Sequence, residues 1–253
     1  KAHSEEYKYQ ENIIGKAQLS KRTVVMIIFG LIGFSAIVGI TLAIQTGWLL
    51  LVMGCACCFI GVFYTFGPIP LSRMPLGEVF SGVTMGLGIF AITVYLNTYD
   101  KKLFFMELDL QHFAITGSTT AALAVVWASI PLIATIANIM LANNLCDLEQ
   151  DIENHRYTLP FYLGKKNAVI LFNLLMYGSY LAIVIGLITG IYQWPILITF
   201  LSLLKVYPQT KAFTKEQIKH KTFAMSIKNL VAFNGSYALG LLVTLFWQRS
   251  EER

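Results

Sequence analysis

The chain has 253 residues, of which 56% are hydrophobic and 13% charged, with a net charge of +5 and a mean hydropathy of +0.62. A soluble globular domain carries about 25% charged residues, so roughly half the usual supply is here to coat a water-facing surface. An ordinary soluble domain and a disordered chain are excluded, and so, despite a pI near 9.0, is a nucleic-acid-binding chain.

The apolar residues come in long runs, which makes the protein an all-α, polytopic transmembrane helix bundle solvated by lipid. Crossing the hydrocarbon layer takes about 20 helical residues. Seven segments qualify, near 23–45, 47–66, 79–97, 119–142, 168–189, 191–207 and 227–247. The sixth is the weakest, because Gln193, Pro195 and Lys205 dilute it. The first is too long for a signal peptide and is followed at once by another span. Small residues inside the third span (Ser81, Gly82, Gly86, Gly88) and the seventh (Gly235, Gly240) mark close helix–helix approach.

Alternating the loops puts 15 of the 19 Lys and Arg on one side of the membrane, in 1–22, 67–78, 143–167 and 205–228. Basic loops face the cytoplasm, so that side is expected to be cytoplasmic. In chain order, Cys55, Cys57 and Cys58 point in different directions around one apolar helix with no histidine nearby, and read as packing. Cys146 heads the loop at 143–167. The loop Tyr64-Thr-Phe-Gly-Pro-Ile-Pro-Leu-Ser-Arg-Met-Pro-Leu-Gly-Glu78 is stiffened by Pro68, Pro70 and Pro75 and holds one basic residue, Arg73. It reads equally as an ordinary connection or as a rigid mount for a phosphate-facing Arg, with Glu78 starting the next span.

The segment from Asn143 to Arg156 is the most informative. No Gly or Pro occurs before Pro160, so the fourth span is expected to continue as helix. Asn143, Asp147 and Asp151 then fall at i, i+4 and i+8 on one face. Like charges at that spacing repel unless a cation lies between them. One amide and two carboxylate oxygens suit a hard divalent ion such as Mg²⁺, whose octahedron substrate phosphates complete. Arg156, Lys165 and Lys166 follow and can neutralise the remaining phosphate oxygens. The alternative is a solvated acidic face, which Glu149 and Glu153 suit better. The segment 205–228, with six Lys interleaved with Tyr207, Phe213 and Phe223, suits anionic lipid headgroups, with a direct substrate role as the second reading. Asn229 and Asn234 inside the last span need partners; they either bridge helices or line a cavity.

Together, Tyr64–Glu78, Asn143-Asn-Leu-Cys-Asp-Leu-Glu-Gln-Asp151 and Arg156-Tyr-Thr-Leu159 resemble the UbiA-type intramembrane prenyltransferases, most closely the branch that prenylates 1,4-dihydroxy-2-naphthoate in menaquinone biosynthesis. The resemblance runs over the whole chain. It implies nine helices and two Asp-rich motifs in the complete protein. The seven spans are then expected to be helices three to nine of a single prenyltransferase domain over 1–253, with the first two helices and the first Asp motif upstream of Lys1.

The implied activity is transfer of a polyprenyl group from an allylic diphosphate to the aromatic acceptor, with loss of the ring carboxylate and release of diphosphate. The implied metal ligands for Mg²⁺ are Asp147, Asp151 and Asn143. Asn143, Asn144, Arg156, Lys16 and Lys165 are implied around the substrates, with Arg73 at the diphosphate and Tyr64 on the wall of the reaction chamber. Two departures stand out. Cys146 occupies a place where the family often has Arg, and Asn154-His155-Arg156-Tyr157 replaces a Gly-Lys-Arg pattern. One phosphate-contacting cation is then either missing or supplied elsewhere, by Lys16, Arg73 or Lys165. The competing class is a transporter, whose ionisable groups lie near the midplane on broken helices; here the carboxylates cluster at the cytoplasmic ends. A purely structural scaffold leaves the aligned Asn143/Asp147/Asp151 face unexplained.

Overall fold

The structure is a computed structural model that describes residues 20–66, 70–109 and 111–251. Six helices among them are long and apolar enough to cross a membrane. α1 (Lys21–Thr46) and α2 (Trp48–Thr65) are apolar on every side, and α1 buries none of its residues within the protein, as lipid-facing helices do. Gly47, at φ +114°, makes the sharp turn between them, and the Tyr95 hydroxyl donates to the Thr46 carbonyl at 2.6 Å to hold it.

The 3₁₀ turn Leu71–Arg73 leads into a span built of α3 (Gly77–Ser81), a π-helical segment (Gly82–Gly88) and α4 (Ile89–Thr98). A β-hairpin follows, β1 (Phe104–Leu108) against β2 (Phe113–Gly117), with Phe104 opposite Gly117. Asp109 shapes its turn by accepting from the Gln111 and His112 amides at 2.7 Å each. This hairpin lies where a plain connecting loop was expected; its consecutive apolar residues lack the alternation that announces a strand.

α5 (Thr119–Cys146) is the central element and packs against α3, the π segment, α8 and α10. Ser118 caps it by accepting from the Ala121 amide. α6 (Leu148–Glu153) and α7 (Leu159–Leu163) then lead to α8 (Lys165–Ile188). The sixth expected span, 191–207, is not a continuous α-helix. It is a 3₁₀ helix, Trp194–Ser202, running into α9 (Leu203–Lys215). Pro195 stands in the first turn of the 3₁₀ helix, where its missing donor is tolerated, Pro208 lies inside α9, and Lys205 adds a charge. The chain closes with α10 (Phe223–Glu251).

Two apolar clusters hold the bundle. Tyr180, Ile183, Phe233 and Tyr237 gather α8 and α10 around the 3₁₀ helix. Leu141, Leu145, Phe172 and Phe213 join α5, α8 and α9 next to the polar loops. The amides inside the spans are bridges between elements: Asn138 Nδ2 donates to the Phe172 carbonyl, Asn229 Nδ2 to the Thr210 hydroxyl, and Asn234 Oδ1 accepts from the Thr135 hydroxyl. At the far end from Asn143, an apolar cavity of about 600 Å³ opens between α2, α4, α5 and the hairpin, with Met53, Cys57, Tyr95 and Val125 in its wall. The four cysteines at 55, 57, 58 and 146 are free thiols.

Candidate active site

α5 delivers Asn143 and Asn144 to the end of the bundle and stops at Cys146. Asp147, at φ −101° and ψ 9°, interrupts the helix that was expected to run on. Backbone bonding nevertheless continues, with the Asp147 amide donating to Asn143 and the Asp151 amide to Asp147. The i, i+4 stacking of Asn143 and Asp147 therefore survives. Asn143 Oδ1 and Asp147 Oδ2 converge on one cation, the Lys219 ammonium, at 2.5 Å each. Lys219 comes from the turn between α9 and α10, and its Nζ also lies 4.7 Å from the Phe223 ring centre.

Asp151 takes a different partner from that pair. Asp151 Oδ1 faces Arg156 Nη1 at 3.2 Å, while the buried Oδ2 has no hydrogen-bond partner among the described residues. Burial pushes the Asp151 carboxyl up to about 6; Asp147 adds to the rise, and Arg156 and Lys219 oppose it. Arg156 is brought back beside Asp151 by a tight turn through His155, a residue in the left-handed region at φ +55°. Its Nη2 donates to the Ser72 carbonyl at 3.3 Å, which ties the Asp-rich segment to the proline-rich loop.

A second set of polar groups lies just inside the bundle. Glu78, only 3% exposed, accepts from Asn144 Nδ2 at 2.8 Å through Oε1. Tyr64 brings its hydroxyl over Gly77, where an added Cβ would lie 3.5 Å from it.

The expected site residues thus divide. Asn143, Asn144, Asp147, Asp151, Arg156 and Tyr64 gather at one end of the bundle. Arg73 is exposed on its 3₁₀ turn and takes part in none of the ion pairs among the described residues. Lys165 is exposed at the start of α8, within electrostatic reach of Cys146. Lys16, Gly67 and Pro68 lie outside the described residues. Lys219 and Glu78 were not singled out from the sequence. One was lost among six Lys in its segment; the other carried a signal that was passed over, an ionisable group in the first turn of a span.

The donor set of Asn143, Asp147 and Asp151 fits a hard cation, and the Lys219 ammonium between the first two already stands where positive charge is wanted. Among the described residues, no cluster of three or more His, Cys, Asp or Glu side chains comes together.

Membrane-crossing helices that gather carboxylates, amides and basic side chains at one end define a multi-pass membrane protein with a polar site at its rim. The chain belongs to the UbiA prenyltransferase family, whose profile matches residues 13–233. It is similar to the 1,4-dihydroxy-2-naphthoate octaprenyltransferase of Bacillus subtilis (strain 168), with 27% identity over 232 residues that cover 90% of this chain and 68% of that protein. No solved structure matches the chain at a significant level.

Proposed function

We propose that this prenyltransferase joins a polyprenyl chain, delivered as its allylic diphosphate, to 1,4-dihydroxy-2-naphthoate. The C–O bond to diphosphate breaks and the diphosphate leaves with the electron pair. The ring exchanges its carboxylate, lost as CO₂, for the prenyl chain, giving the reduced form of demethylmenaquinone. The observation that carries the reading is the convergence of Asn143 and Asp147 on one cation beside the Asp151–Arg156 pair.

Asp147, Asp151 and Asn143 would hold Mg²⁺, which when bound supplies charge stabilisation to the departing diphosphate. Lys219 and Arg156 are the chain's own cations at this place and bind the phosphate oxygens left over. The ring of Tyr64 and the apolar walls of α3 and α5 keep water from the allylic cation, which would otherwise be quenched. The spans lie in the cell membrane with this rim toward the cytoplasm, as the distribution of Lys and Arg favours. A transporter reading is disfavoured because the in-span amides Asn138, Asn229 and Asn234 are engaged between elements.

Purified full-length protein tests this with polyprenyl diphosphate and 1,4-dihydroxy-2-naphthoate. Diphosphate release and prenylated product should both need a divalent metal and vanish with a chelator. Asp147→Asn and Asp151→Asn should each lose about a hundredfold or more in turnover while melting like the parent. Near-normal turnover in either variant would falsify the assignment.

A further inference from the structure

Glu78 and Asn144 have more hydrogen-bonding capacity than the protein uses. Glu78 is 3% exposed and Asn144 1% exposed. Asn144 Nδ2 and Glu78 Oε1 bond each other at 2.8 Å. Glu78 Oε2 and Asn144 Oδ1, both buried, are left with no partner among the described residues, and the Tyr64 hydroxyl lies beside them over Gly77. A buried polar atom left unpaired forfeits its hydration with nothing in return, so two on one bonded pair point to a partner from outside the chain.

The chemistry of the free atoms selects that partner. Both are acceptors, one of them on a carboxyl group, so the ligand must present donors. A diphosphate presents almost none and carries negative charge, so it belongs with Lys219 and Arg156 instead. A hydroxylated aromatic ring has O–H donors on an apolar body, which suits a buried corner walled by Tyr64. We infer that Glu78 and Asn144 form the acceptor site, where the Glu78 carboxyl oxygen and the Asn144 amide oxygen each take a hydrogen bond from a ring hydroxyl. This deepens the prenyl-transfer reading and rests on it. Glu78 is a positioning residue: it orients the ring through its hydroxyl. A site built to bond a hydroxyl discriminates strongly against a ring that lacks it, because its own buried groups are then left bare.

The test uses the full-length protein in detergent under anaerobic conditions. Binding of 1,4-dihydroxy-2-naphthoate and of 1-hydroxy-2-naphthoate is followed by tryptophan fluorescence, without metal or diphosphate. Inorganic diphosphate with Mg²⁺ is titrated separately. The parent should prefer the dihydroxy ring by about tenfold or more, as loss of one charge-assisted bond implies. Glu78→Gln should lose most of that preference, keep its Mg²⁺–diphosphate affinity within about twofold and melt like the parent. The acceptor site is overturned if the parent binds both rings alike, if Glu78→Gln keeps the preference, or if the variant loses Mg²⁺–diphosphate affinity as strongly as ring affinity. Diphosphate release from prenyl diphosphate is read on the same preparations. Its complete absence in the parent sinks prenyl transfer itself, whereas release with an unchanged Glu78→Gln sinks only the Glu78 assignment.

Discussion

Lys219 answers a problem that the Asp-rich segment creates for itself. Two acidic or strongly polar side chains one helical turn apart repel or compete unless positive charge sits between them, and the Lys219 ammonium fills that place. The same ammonium competes with any divalent ion for Asn143 and Asp147, yet is an added cation for a bound diphosphate. Lys219→Met should therefore move two affinities in opposite directions. With partly exposed partners, each change should be on the order of fivefold: Mn²⁺ alone, followed by its magnetic resonance signal, binds more tightly, and inorganic diphosphate with Mg²⁺ binds more weakly. If both weaken, Lys219 is only a structural strut.

The span from Gly77 to Lys101 shows how small residues set an element's position. An added Cβ at Gly86 would lie 2.6 Å from the Ile133 backbone, and one at Gly82 2.8 Å from the Ile133 carbonyl oxygen. These contacts are to backbone, so no rotamer change relieves them. The close approach coincides with the π-helical stretch, the kind of local widening that often lies near functional sites. It also fixes the height of Glu78 against Asn144. Gly86→Ala should cost about 1–3 kcal/mol through overpacking and lower the melting midpoint. Gly235→Ala, where nothing lies within 4 Å of the new Cβ, should change stability by less than about 0.5 kcal/mol. Equal effects from the two would remove the case for close packing at the π segment.

Across the molecule, polar chemistry and apolar volume separate to opposite ends. Asp147, Asp151, Arg156, Lys219 and Glu78 meet at the C-terminal end of α5. The cavity near Val125 and the hairpin lies at its N-terminal end, about 30 Å away along the helix at 1.5 Å per residue. The bias of Lys and Arg is the basis for the proposal that the first end faces the cytoplasm. In a background without the native cysteines, Gln111→Cys on the hairpin should react with an impermeant maleimide in intact cells, and Lys166→Cys should react only after lysis. The reverse pattern would invert the protein.

The amino-acid sequence by itself determined the membrane class, six of the crossing helices and the stacking of Asn143 with Asp147. Each follows from composition or from spacing within one helix, where 3.6 residues per turn settles which side chains are neighbours. Only the tertiary structure decided what those side chains meet. Lys219 lies 72 residues from Asp147, and Glu78 lies 66 from Asn144, so both pairs depend on how separate helices dock. The turn at Asp147, the 3₁₀ helix Trp194–Ser202 inside the expected span 191–207 and the hairpin belong to the same kind. In each, prolines, close packing or strand pairing outweighed the local preference that hydropathy and spacing report.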